Sequence, residues 1–291
     1  MSDPAEPGSA ARDAKASSPA ARIGADLWPR VGSGVVLAVL ALLATVAGSW
    51  WFAALVTVVC GVVAWEWGRI VRGTEADLAM IAHVAAVLVG VGLAAAGLPL
   101  LGAVGVAIGT ILVGLLAFGR QALLSGLGVM FAGLPGIALI WLRADEPFGV
   151  WAVLFLLAAV AATDTSAYFA GRLVGGPKLW PAVSPKKTWA GLVGALFGAA
   201  GIAAAFALLL HGANPWRLAA AGAAIAIVAQ AGDLAESALK RKFAAKDASN
   251  LIPGHGGFMD RVDGLVAAAV AAAIVALWLD IAAPARALLL G

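Results

Sequence analysis

The chain has 291 residues, 63% of them hydrophobic and only 12% charged, with 36 glycines and 11 tryptophans. That composition excludes a soluble two-domain protein and describes a polytopic helical membrane protein. The net charge of +3 means little until the charges are placed along the chain, and the single cysteine, Cys60, lies inside an apolar run, which excludes an intramolecular disulfide and a cysteine-rich metal site.

Residues 1–28 are rich in Ala, Ser, Pro and charge, without apolar periodicity. They are expected to form a disordered cytoplasmic tail and not a signal peptide, because the first apolar run is distant from Met1 and long enough to span. Nine apolar segments follow, at about 32–48, 50–69, 77–97, 99–118, 124–142, 148–167, 188–210, 215–232 and 264–283. The sixth, eighth and ninth are short for a span of about 20 residues and are expected to shift or to extend into water. Pro135 is placed to kink the fifth. Small-residue spacings such as Gly105-x3-Gly109 and Gly194-x3-Gly198 read as helix packing. Glu66, between Trp65 and Trp67 at the inner end of the second segment, reads as an interfacial residue paired with Arg69.

With the N-terminus inside, 16 of the 19 Lys and Arg residues fall on inner segments, and Arg143, Arg217 and Arg286 fall outside. That asymmetry supports nine spans, N-in and C-out. The expected architecture is therefore all-α: a polytopic bundle of about nine transmembrane helices in a cell membrane. It divides into the tail, N-terminal helices over 29–147, and a catalytic region over 148–291 with two cytoplasmic-face motifs, 163–191 and 232–264.

The second motif holds five of the sixteen acidic residues: Asp233, Glu236, Asp247, Asp260 and Asp263. Charge this dense between apolar helices is expensive near a bilayer and points to function. Asp233, Glu236, Ser237, Lys240 and Arg241 share one helix face. Pro253, Gly254, His255, Gly256 and Gly257 then form a loop able to offer N–H groups to phosphate. Asp260 and Asp263 open the next helix. Carboxylates beside lysines, arginines and a glycine loop are the inventory for Mg²⁺ and phosphoryl groups. In the first motif, Asp164 lies near the cytoplasmic end of the sixth helix, and Lys186 and Lys187 stand at the start of the seventh, where a helix N-terminus favours anions. A phosphate-binding loop over Gly171–Lys178 fails because Pro177 stands where its lysine is required. No strand pattern is read anywhere, zinc is not expected with His83, His211 and Cys60 remote from the motif, and no nucleic-acid-binding motif surrounds the cations.

The pattern Ser237-x-Leu239-Lys240-Arg241-x4-Lys246-Asp247-x5-Pro253-Gly254-His255-Gly256-Gly257-x2-Asp260-Arg261-x-Asp263 resembles the signature of the phosphatidate cytidylyltransferase (CDP-diacylglycerol synthase) family. The first motif is similar to the same family in Asp164, Tyr168-Phe169, Gly171-Arg172 and Ser184-Pro185-Lys186-Lys187-Thr188, departing from many members at Ala190. The resemblance implies CMP transfer from CTP to phosphatidic acid, giving CDP-diacylglycerol and pyrophosphate, at the cytoplasmic face. It implies Mg²⁺ on Asp233 and Asp260, the number of metal ions being open. Lys186, Lys187, Lys240, Arg241 and Arg261 would hold triphosphate or lipid phosphate, with Asp164, Ser184, His255, Gly256, Gly257 and Asp263 contacting substrate. A homodimer is implied by the family alone. Two other readings stay open: a CTP-dependent lipid-alcohol kinase, attacking the γ-phosphorus, and a transporter with intramembrane acidic ion sites.

Overall fold

A computed structural model describes residues 19–74, 76–119, 121–252 and 256–291, with side chains from residue 32 onward. Ten α-helices are described: α1 (Pro19–Ala47), α2 (Ser49–Arg72), α3 (Leu78–Ala95), α4 (Pro99–Leu116), α5 (Ala122–Arg143), α6 (Gly149–Leu173), α7 (Trp189–Phe206), α8 (Pro215–Lys242), α9 (Met259–Leu279) and a short α10 (Pro284–Leu290). Among the described residues, eight are long and apolar enough to cross a membrane, α2 to α9, and Gly32–Ala47 of α1 adds a shorter apolar stretch. Each of the nine expected segments is thus a helix, and the fold is an all-α polytopic bundle. The helix α1 begins within the stretch expected as tail; residues 1–18 lie outside the described ones.

The boundaries follow local chemistry. Asp77 accepts the Met80 N–H at 2.6 Å at the start of α3, and Asn214 accepts from Trp216 and Arg217 ahead of Pro215 at the start of α8. Of the segments expected to be short, the sixth and eighth extend and the ninth shifts toward the N-terminus. The helices α6 and α8 run on through the charged motifs to Leu173 and Lys242, and α9 begins at Met259. Asp164, Asp233 and Asp263 therefore sit on helices and are held by backbone, not by loops.

The helices α2 to α5 pack as one group, α6 to α9 follow one another in sequence, and α9 joins the two by lying against α5. A single apolar core runs through both groups, from Phe52 and Val56 to Ala268 and Ala272. Small residues set the close crossings: Gly194 and Gly198 of α7 face Ala170 and Ser166 of α6. Leu100, Ile108, Ile111 and Leu115 of α4 point outward and exposed, the arrangement expected where the solvent is hydrocarbon.

One expectation is corrected. Residues 178–188 form an antiparallel hairpin, β1 (Lys178–Trp180) and β2 (Ser184–Thr188), in the register Lys178 to Thr188 and Trp180 to Ser184. Lys186 and Lys187 lie on β2, two and one positions before the helix cap and not in the first turn of α7. Thr188 is that cap, its hydroxyl accepting the Gly191 N–H at 3.0 Å.

Candidate active site

The two charged motifs meet at one end of the bundle. Along β2 Lys186 is exposed while Lys187 is half-buried. The Lys187 ammonium lies 2.6 Å from Asp233 Oδ2 on α8 and 3.5 Å from the Gln230 carbonyl. Between α6, β2 and α8 opens a cleft of about 400 Å³ lined by Asp164, Tyr168, Arg172, Lys186, Lys187, Thr188, Gln230 and Asp233, among others. Arg172 donates to the Tyr168 hydroxyl at 2.8 Å on its rim. The cleft thus presents three basic side chains and two acidic ones, flanked by a phenol ring.

Beside the cleft three carboxylates converge. Asp233 and Glu236 of α8 and Asp263 of α9 offer oxygens that lie within 4.8 Å of one another. Close approach of the two helices makes this possible: a Cβ on Gly232 would stand 2.6 Å from that of Ala267 and 3.0 Å from the Asp263 carbonyl oxygen. Unit charges at such a spacing repel by about 3 kcal/mol per pair at an effective dielectric near 20. Lys187 on Asp233 and Lys240 on Glu236, at 2.9 Å, offset part of this. The Glu236 oxygens are buried, and beyond that ion pair no well-formed hydrogen bond reaches them among the described residues. Converging, under-satisfied carboxylates suit a divalent cation with oxygen ligands.

Asp260, expected as a metal ligand, stands beside the three carboxylates, paired with Lys240 and with loop amides. Its Oδ1 lies 2.5 Å from Lys240, and its Oδ2 accepts the backbone N–H of Ala248 at 2.9 Å and of Gly257 at 2.8 Å. Lys240 bridges Glu236 and Asp260. Together they tie the loop between α8 and α9 to both helices.

Glu66 completes that tie, and its expected pairing with Arg69 is corrected. Arg69 lies over the Trp65 ring at 4.8 Å. Glu66 is fully buried, and its carboxylate accepts the Ser249 hydroxyl, the Phe258 N–H at 3.0 Å and the Met259 N–H at 2.7 Å. These amides open α9 and have no partner within the helix. A Cβ on Gly257 would fall 2.5 Å from Glu66 Oε1, so a side chain there would push the carboxylate off these amides. The signal available in the sequence was that an acid within an apolar span is functional or structural by default.

The remaining expected residues are spread around this centre. Gly256 has φ of +84°, and a Cβ there would stand 2.9 Å from Asp260 Oδ2. Arg261 is exposed, within electrostatic range of Asp164. Ser184 pairs with Trp180 in the hairpin, and Arg241 is exposed, donating to the Ala245 carbonyl at 3.2 Å. His255 lies outside the described residues.

The chain is similar in sequence to several curated proteins. A phosphatidate cytidylyltransferase of Brucella abortus (strain 2308) is 49% identical over 142 residues, 49% of this chain and 53% of that protein. Proteins of the same name from Staphylococcus haemolyticus and Mycobacterium tuberculosis (strain ATCC 25618 / H37Rv) are 37% identical over 132 residues and 43% over 125, covering 45% and 42% of this chain and 51% and 38% of theirs. The chain spans about half the length, or less, of these curated relatives. The profile of the cytidylyltransferase family reaches further, matching residues 28–279, from α1 to the last residue of α9. With most of its length inside that match, the chain belongs to the cytidylyltransferase family.

Proposed function

We propose that the protein transfers the cytidylyl group of CTP to phosphatidic acid, releasing pyrophosphate and forming CDP-diacylglycerol. The observation that carries this reading is the contact of Lys187 with Asp233, which joins the two motifs into one polar cleft beside three converging carboxylates. The names of the relatives support it. In this reading an oxygen of the ionised lipid phosphate attacks the α-phosphorus of CTP. The bond from that phosphorus to the bridging oxygen breaks, and its electrons leave with pyrophosphate. No side-chain nucleophile is needed.

The work of the chain is to place charge. Lys187 and Arg172 reach the cleft where the triphosphate would lie, with Lys186 at its rim and Arg261 on the α9 side. Lys240 is a positioning residue, since Glu236 and Asp260 hold it and it fixes the glycine loop. A divalent metal, Mg²⁺ in this reading, would be held by Asp233, Glu236 and Asp263 and would neutralise developing phosphate charge. The site opens to the cytoplasm by the distribution of basic residues. The homodimer implied by the family is part of the same proposal.

Incubation of the purified protein with CTP labelled at either the α- or the γ-phosphorus, and with phosphatidic acid or diacylglycerol as acceptor, tests the reaction. Label from the α position entering the lipid is the expected result. Label from the γ position entering lipid would establish a kinase instead, and no transfer from either would overturn both.

A further inference from the structure

A second cavity, of about 350 Å³, lies between α1, α2, α5, α6 and α9, on the far side of α9 from the carboxylates. The helix α9 separates the two by its period. Phe258, Arg261, Val262, Leu265 and Val266 face the cavity, while Asp260, Asp263 and Gly264 turn elsewhere. The walls are aliphatic and aromatic, and Arg261 is the one charged side chain among the described lining residues. Packed interiors keep few voids larger than a water molecule, and a space this large with apolar walls gives water no partners.

Three features identify an occupant. Leu40 and Val58 on the lining are 47% and 64% exposed, so the cavity opens sideways to the surrounding hydrocarbon. Along α2 it runs from Val63 to Phe52, about 16 Å at 1.5 Å per residue, roughly the depth of one leaflet of a ~30 Å core. At its inner end stands Arg261, within electrostatic range of Asp164 in the catalytic cleft.

We infer that this cavity is an acyl-chain subsite, holding one tail of the lipid substrate while Arg261 faces its phosphate monoester. The inference rests on the proposed reaction for the identity of the headgroup. It differs from a picture in which both tails stay in bulk lipid, and it makes Leu40, Val59, Ala132 and Leu265 determinants of chain selectivity.

The test uses phosphatidic acid with a diazirine on one acyl chain, photolysed with the purified wild-type protein in nanodiscs without CTP. Labelled peptides are then mapped by mass spectrometry. The expected result is adducts concentrated on Val59, Ala132 and Leu265 and removed by excess unlabelled phosphatidic acid. Adducts spread equally over the outward residues Ile108 and Ile111 would overturn the subsite. So would equal labelling of the cavity by a phosphatidylcholine probe, because the space would then admit any bilayer lipid. Ala41→Trp should lower cavity labelling, and turnover of dioleoyl substrate, by about tenfold or more, the order of one or two methylenes in an apolar pocket. Dihexanoyl substrate should be used nearly as well as by the wild type, and Val39→Trp, on the exposed side of α1, should behave as wild type. Equal loss on both substrates by Ala41→Trp would oppose the subsite. Cavity labelling without any transfer from CTP would sink the proposed reaction and leave the acyl site standing; transfer without cavity labelling would do the reverse.

Discussion

Both ends of the bundle are charged, and they use charge differently. At the end away from the cleft, Arg143 donates to the Thr45 carbonyl at 2.9 Å and pairs with Glu146. Arg217 donates to the Ala287 carbonyl at 2.6 Å, and Asp145 caps α10 by accepting the Ala285 and Arg286 N–H groups at 2.8 and 3.0 Å. Each of these groups is spent on a backbone terminus or an opposite charge. At the cleft end Glu66, Lys240 and Asp260 do the same kind of work, but Asp233, Glu236 and Asp263 crowd together. Carboxylates held within a few ångströms on rigid helices are costly to ionise together, an arrangement that suits a bound cation where charge density alone does not.

The sharpest break in this comparison comes from neutralising one of the crowded acids. Asp233→Asn and Asp263→Asn should each lower cytidylyl transfer by on the order of 100-fold or more, the size of losing a charge-stabilising group, while thermal unfolding in detergent stays unchanged or rises as repulsion is relieved. Near-normal turnover in either variant at saturating Mg²⁺ would remove that residue from the site.

Next in size is a pair of structural acids. Glu66→Ala leaves the Ser249 hydroxyl and two N–H groups without their acceptor, costing about 3 kcal/mol or more, and should lower both the unfolding temperature and kcat. Asp145→Ala removes only a helix cap at the opposite end, worth about 1 kcal/mol, and should leave kcat and KM alone. If Glu66→Ala kept full activity and stability, the tie between α2 and the α9 start would carry no weight.

Smaller still is the contrast within β2. Lys187→Ala should cost on the order of 100-fold in kcat/KM. Lys186→Ala, at an exposed position, should cost no more than about fivefold and chiefly in KM. Equal losses would show that the strand does not sort the two lysines. Topology follows as a check on the ends themselves: a reporter after Gly291 should be extracytoplasmic and one near Gly175 cytoplasmic, and both on one side would break the N-in, C-out assignment.

The sequence carries the nine helices plainly, because each is an apolar run long enough to require burial in a bilayer. It carries the cleft in part. Asp164, Lys187 and Asp233 stand in recognisable motifs, and their meeting follows from two motifs placed on one face. The hairpin escapes because three- and five-residue strands are too short for a period, and nothing in the sequence separates the exposed Lys186 from the half-buried Lys187. Asp260 and Asp263 look alike three residues apart, yet the first lies in the opening turn of α9 and is captured by loop amides and Lys240. Glu66 escapes because its partners lie more than 180 residues along the chain, and local spacing offered only Arg69.

The central claim is that the crowded carboxylates bind a divalent cation. The most direct measurement is Mn²⁺ binding followed by electron paramagnetic resonance on the purified protein, compared among wild type, Asp233→Asn, Asp263→Asn and Asp145→Asn. Specific binding is expected in wild type and Asp145→Asn, competed by Mg²⁺ and lost in Asp233→Asn and Asp263→Asn. Binding unchanged in Asp263→Asn, or absent from the wild type, would contradict it.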